Sequence, residues 1–341
     1  MRYALILILA LHSSLTFAAS EIVNSFDLGG PYYHAGSLAV EAYPHWSAVV
    51  MGPIPVVLGS LKTATKAANG QTELGFKVIA IVEEDLPAHA LMISKTEYDA
   101  IAVDPPTTLP AQKILLTPRS TGRMFAERCL AGWNLTLDEN NVLNAEEASI
   151  RKDLREGTAS VAFVWSSFTY LAENDTAKAK ALDCKDKIDI EIPTLIVART
   201  DLLNETDPQR LDKNRRQIGM FVAKYLGSWA AAKNKPVDAA KKLVATYAAE
   251  GIKVTKEQAQ AELEARQPPD LNDQLVKFTP VAGGVAPLAT SLDVIMDFMV
   301  ASGSLKAADR PAPSTLLDQS ILRFIAQDAE LAAIARGEKS F

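Results

Sequence analysis

Along the first two thirds of the chain, apolar residues come in short continuous runs bounded by glycine, proline or charge. Such runs fall at Ala48 to Met51, Val78 to Val82, Ala90 to Ile93, Ile114 to Leu116, Val161 to Trp165 and in PTLIVAR ending at Arg199. Runs of this length predict strands buried on both faces. Helical stretches lie between them: one after Gly52-Pro53 to about Ala68, one after Ser120 to Gly122, and a charged one from about Glu146 to Glu156 stopped by Gly157. Strands alternating with helices imply an α/β fold whose sheets are mostly parallel, with crossover helices.

Beyond Asp207-Pro208 the period changes. Ile218, Phe221, Val222, Tyr225, Leu226 and Trp229 recur at the spacing of one helix face, predicting a helix that packs as core on the strand-rich part. VDAAKKLVATYAAEG and TKEQAQAELEARQ predict two more helices, separated by Gly251 and ended by Pro268-Pro269; SLDVIMDFMVASG predicts another, and SILRFIAQDAELAAIARG a short one in a polar tail. Residues Lys95 to Gln112 carry Asp104, Pro105, Pro106 and Pro110, a loop-rich stretch expected to pass between lobes.

The most informative local pattern is Lys113 to Leu135, KILLTPRSTGRMFAERCLAGWNL. It reads as a buried strand, a small-residue turn at Ser120, Thr121 and Gly122, and an amphipathic helix stopping at a glycine. Such a turn leaves the first backbone N–H groups of the helix facing whatever lies in front, which suits an anion. Arg123 adds positive charge where the helix dipole disfavours it. An anionic ligand would resolve that conflict, and a nearby Asp or Glu would do so equally well. Ser120 and Thr121 are therefore a helix cap or ligand contacts. Trp165, followed by Ser166 and Ser167, either stacks on a ligand or closes a core.

The start of the chain is of another kind. Met1-Arg2, the apolar YALILILAL and the small-residue ending Phe17-Ala18-Ala19 describe a secretory signal peptide over residues 1–19, cleaved near Ala18 or Ala19. Its apolar stretch is shorter than the ~20 residues that span a bilayer. With no cysteine at the cleavage point, a lipid anchor is disfavoured, and the mature chain is expected to be soluble and exported.

Composition narrows the classes. At 341 residues the chain exceeds what one core usually serves, so two lobes are expected. A formal net charge of -6, with no basic stripe interleaved with aromatics, excludes nucleic acid as a natural partner. Among His34, His45 and His89 no pair has the i, i+4 spacing of a helical metal site, and no cofactor is implied. Tyr32, Tyr33 and His34 beside Gly29-Gly30 form either a cleft loop or surface packing. Neither a nucleophile elbow, a phosphate-binding glycine loop, a zinc-protease motif nor a dinucleotide fingerprint is present, so catalysis has no support in the sequence. Two cysteines, Cys129 and Cys184, either pair in an oxidising compartment or remain free.

The order of these elements resembles the type II periplasmic binding proteins. The features that carry the resemblance are the leader, the strand with its Gly-Pro turn, KVIAIVEED, ALMIS, the strand with its STG turn and helix, the strand ending in Trp-Ser-Ser, the PTLIVART return and the helical last third. Within that group the chain is most similar to the nitrate, sulfonate and taurine branch, which includes thiamine-precursor binders, over most of residues 45 to 305. The resemblance implies a two-lobed clamshell, each lobe a mostly parallel sheet flanked by helices, that captures a small, anionic organic solute in the periplasm for an inner-membrane ABC permease. A monomer without enzymatic activity is expected. The expected division is lobe 1 from 20–105 plus 200–341 and lobe 2 from 106–199. Matched residue by residue, the implied ligand contacts are Gly52, Pro53, Ser120, Thr121, Arg123, Trp165 and Ser166, with Arg199 or Asp201 as weaker candidates. Family members place a strand, a helix and a second strand before the strand at Ala48 to Met51; residues 20–47 offer less chain than that, so the first lobe is expected to be abbreviated. An abbreviated lobe also motivates an alternative, a periplasmic accessory or sensory clamshell that binds a protein partner.

Overall fold

Two sheets organise the described residues. The computed structural model describes residues 49–53 and 76–339, apart from short breaks at 85, 103–104, 118–120, 146, 157, 166–168, 171–172, 174–178, 250 and 304. The expected leader, the Tyr32-Tyr33-His34 cluster, the segment 20–47 expected to be abbreviated and the helix expected up to Ala68 lie outside the described residues.

The first sheet has the order β1-β8-β2, from β1 (Val49–Pro53), β2 (Phe76–Glu84) and β8 (Pro193–Arg199). Every residue of β2 from Val78 to Glu83 is buried, as its unbroken apolar run requires. The second sheet has the order β5-β4-β6-β3-β7, from β3 (His89–Ser94), β4 (Ile114–Leu116), β5 (Val142–Asn144), β6 (Val161–Trp165) and β7 (Ala179–Leu182).

Helices α1 (Thr121–Gly132) and α2 (Glu147–Glu156) cover the second sheet on opposite faces. The strand period of two sorts the core accordingly. Ile114, Leu116, Val161 and Phe163 pack with Phe125 and Cys129 of α1, while Leu115, Ala162 and Val164 pack with Ile150 and Leu154 of α2.

The first sheet is covered by the helical last third: α3 (Pro208–Asn234), α4 (Pro236–Ala249), α5 (Lys256–Ala265), α6 (Leu271–Phe278), α7 (Pro287–Ala301), α8 (Ser320–Gln327) and α9 (Ala329–Ala335). Asp207 caps α3 by accepting from the amides of Gln209 and Arg210, with Pro208 in the first turn where its missing N–H costs nothing. The whole expected face, Ile218 to Trp229, is buried in the core it shares with β2 and β8. Gly227 lets α3 approach α9: a Cβ there would overlap the carbonyl oxygen of Ile334.

Four of the six described strand pairings are antiparallel and two are parallel, so the sheets are mixed where a mostly parallel arrangement was expected. Among the described residues, parallel strand pairing is confined to β4, β5 and β6, the strands joined by crossover helices. Every antiparallel pairing involves β3 or β8, the strands by which the chain enters the second lobe and returns from it. Strand β3, expected with the first lobe, belongs to the second sheet, and β8, expected to close the second lobe, is the middle strand of the first. The Pro-rich stretch Lys95 to Gln112 joins β3 to β4 and so stays inside the second lobe. The crossings are the short 3-10 turn Leu86–Ala88 and the return between β7 and β8. Gly52 and Pro53, expected as a turn after β1, are its last residues, in register with Leu195 and Thr194.

Candidate functional site

Strand direction places the expected site. In the first sheet the carboxyl ends of β1 and β2, Pro53 and Glu84, lie in register with Thr194 and Pro193 at the start of β8. In the second, Trp165 at the carboxyl end of β6 pairs with His89, the first residue of β3, and β4 runs parallel to β6. Since β3 follows one crossing and β8 the other, all four carboxyl ends face the side where the lobes are joined. In open α/β sheets ligands bind outside the carboxyl ends of strands.

Of the expected contacts, Gly52, Pro53, Thr121, Arg123 and Trp165 thus belong to strand ends, or to the helix after one, on the crossing side. Ser120 and Ser166 lie outside the described residues. Arg199 does not join them: it ends β8, pairs in register with Phe76 at the far end of β2, and holds Asp201 through two hydrogen bonds, one of 2.9 Å from Nε.

Arg123 stands in the first turn of α1, a turn without acidic residues. Its Nε donates to Glu127 Oε1 at 3.0 Å, and its Nη2 bonds Glu139 in the 3-10 turn Glu139–Asn141. Burial opposes the charge, but the hydrogen bonds to Glu139 and Glu127 outweigh it and hold the guanidinium pKa above its ordinary value. The dipole conflict at this helix start is therefore relieved by carboxylates of the protein itself. Behind Arg123, the Phe125 ring lies 5.3 Å from that of buried His89 and meets Phe163 edge-on at 5.8 Å, which fixes α1 on β3 and β6. Cys129 and Cys184 form a disulfide that ties α1 to the return segment, and Gly132 permits the backbone of Lys187 to lie against the helix end.

A second group of polar residues at the crossing side was not anticipated from sequence. Arg266, which caps the end of α5, places Nη2 2.5 Å from Glu83 Oε1 and Nη1 3.3 Å from Glu262 Oε1, with all three side chains at 12% exposure or less. Glu262 also accepts from Tyr247 at 3.0 and 3.1 Å and from Tyr170 at 2.9 Å. Tyr170 meets Tyr247 edge-on with ring centroids 5.7 Å apart. Nearby, Lys185 donates to the carbonyl of Pro87 at 2.9 Å, and burial pushes its pKa down against the opposing pull of Asp183 and Glu262. Buried charge is tolerable only when paired and hydrogen-bonded, and here each carboxylate has its donors. The sequence did carry a trace of this group, a Glu-Arg pair at i, i+4 in α5 and two glutamates ending a buried strand, but nothing local named their partners. Among the described residues no three His, Cys, Asp or Glu side chains gather as a metal site requires.

No protein-family model matches the sequence, and no characterised protein matches it at significant sequence similarity. Solved structures do resemble it. The periplasmic aliphatic sulphonate binding protein SsuA from Escherichia coli aligns with a TM-score of 0.56 at 14% identity, over 83% of this chain and 80% of its own. The periplasmic nitrate-binding protein NrtA from Synechocystis PCC 6803 aligns with a TM-score of 0.53 at 11% identity, over 94% and 81% respectively. The desulfurization enzyme DszB aligns with a TM-score of 0.50 at 10% identity, over 81% and 84%. The chain has the two-lobed α/β fold of the periplasmic binding proteins.

Proposed function

We propose that this protein is the solute-capturing component of an ABC importer. It works in the periplasm after loss of its leader, binds a small organic anion of the sulfonate or nitrate type between its lobes, and hands it to an inner-membrane permease. The support is the fold shared with SsuA and NrtA, combined with strand carboxyl ends from both lobes on the crossing side. The ligand contacts we assign are Gly52, Pro53, Ser120, Thr121, Arg123, Trp165 and Ser166. Arg123 comes to this site with its charge balanced by Glu127 and Glu139, so the counter-charge for an anion falls mainly to the amides at the start of α1.

Calorimetry of the mature protein against sulfonates, nitrate, carboxylates and pyrimidines tests the assignment. Saturable binding of a sulfonate or of nitrate is expected; binding of neutral or cationic compounds alone would overturn the anion class. The same fold carries catalysis in DszB. Capture without turnover predicts that every bound compound is recovered intact by mass spectrometry after long incubation.

A further inference from the structure

We propose that Tyr170 is an interlobe latch: its hydroxyl, carried by the second lobe, locks onto Glu262 of the first and holds the lobes together before any solute arrives. Tyr170 lies in the connection between β6 and β7, both strands of the second sheet, yet its ring packs against the core of the first lobe. Its acceptor belongs to α5, which is held by Tyr247 of α4 and by Arg266 paired to Glu83 of β2, all first-lobe elements. The receiving carboxylate is thus fixed in the first lobe, whereas Tyr170 comes from the second. From the same connection Glu173 accepts from Gln258 of α5 at 3.4 Å, a longer contact. Tyr170 and Glu262 belong to different lobes, so a rotation that parts the lobes where these two meet breaks their bond.

The chemistry suits a latch. Burial first, and the charge of Glu262 second, push the Tyr170 phenol far above its ordinary range, so it remains a donor at any working pH. A hydrogen bond to a carboxylate corresponds to a change of roughly ten- to a hundredfold in the ratio of closed to open molecules. The latch rests on the two-lobed fold and these contacts, and stands whether or not the solute is an anion.

The test is small-angle scattering of the mature protein without added solute, comparing wild type, Tyr170→Phe and Tyr247→Phe. Tyr247 bonds the same carboxylate from within the first lobe, so its loss weakens that lobe without freeing the second. The expected result is a larger radius of gyration for Tyr170→Phe, with Tyr247→Phe matching wild type. Scattering of Tyr170→Phe identical to wild type, or equal expansion of both variants, would overturn the latch. If Tyr170→Phe does not fold by circular dichroism, Tyr170→Met, which lacks the hydroxyl and fills the same apolar site, reads the same contact: expansion supports the latch and wild-type scattering overturns it.

Discussion

Glu84 and Ile192 are 108 residues apart in sequence, and the carboxylate of the first accepts a hydrogen bond of 2.7 Å from the backbone amide of the second. The same oxygen accepts from the amide of Leu86 at 3.2 Å. One side chain therefore joins the outgoing crossing to the returning one, and Leu86 packs against the cores of both lobes. Replacing Glu84 by Ala strands two amides at the crossing and should lower stability by about 1 to 3 kcal/mol, whereas Gln keeps an acceptor and should cost less. Urea unfolding measures both, and hydrogen exchange at the Ile192 amide should accelerate in the Ala variant. Unchanged exchange there would refute the pinning role.

Arg266 is the cation that Glu83 and Glu262 share. Arg266→Leu leaves two buried carboxylates without it and should destabilise the first lobe by about 3 to 5 kcal/mol, the cost of breaking a buried pair from one side. Chemical denaturation reads the loss; a change below about 1 kcal/mol would mean that solvent reaches the cluster.

The disulfide closes a loop with a sequence separation of 55. The chain-entropy model gives a stabilisation of about 4 kcal/mol for a loop of that size. The Cys129→Ser, Cys184→Ser double variant is expected to unfold at clearly lower urea than the oxidised protein, and to coincide with wild type treated with reductant. Equal midpoints for oxidised and reduced protein would exclude a structural role.

Glu173 supplies a pH dependence with a definite sign. Burial raises its pKa above the ordinary 4.5, so between that value and its folded pKa the native state holds a proton that the unfolded chain has released. Its contribution to stability is fully present below 4.5 and is lost as pH rises through the folded pKa. Glu173→Gln lacks this titration, so its melting temperature relative to wild type should climb as pH is raised from 4.5. A difference between the two melting curves that is constant with pH would contradict the assignment.

For Arg123 the ion pairs set the expectation. With Glu127 and Glu139 engaging the guanidinium, Arg123→Ala should weaken solute binding by less than about tenfold, equivalent to ~1.4 kcal/mol. Calorimetry decides; a larger loss would mean that the guanidinium leaves its carboxylates when solute binds.

Much of the fold was legible in the sequence because it follows from local periodicity. Ile114–Leu116 and Val161–Trp165 are strands with the expected ends, and the α3 face from Ile218 to Trp229 is core. Local pattern failed where partners are distant. The tail segment expected as one helix is two, because Asp328 ends α8 and caps α9. Helix α6 was missed, although Asp270 caps it, and its Gln274, fully buried, exchanges two hydrogen bonds of 2.9 Å with the backbone of Ile81 beside an irregularity in β2. A buried glutamine of this kind has no local signature, since its partner lies 193 residues away.

The sequence by itself determined most of the elements, their order, the class of fold and the helical covering of the first lobe, because apolar spacing, caps and helix breakers act within a few residues. Only the tertiary structure decided which strands belong to which sheet, that the cysteines pair, that Arg123 is balanced by Glu127 and Glu139, and that Tyr170 reaches Glu262. Those outcomes depend on chain reversal at the crossings and on electrostatic partners far apart in sequence, where Coulomb energy and burial are properties of the packed molecule and of no local stretch.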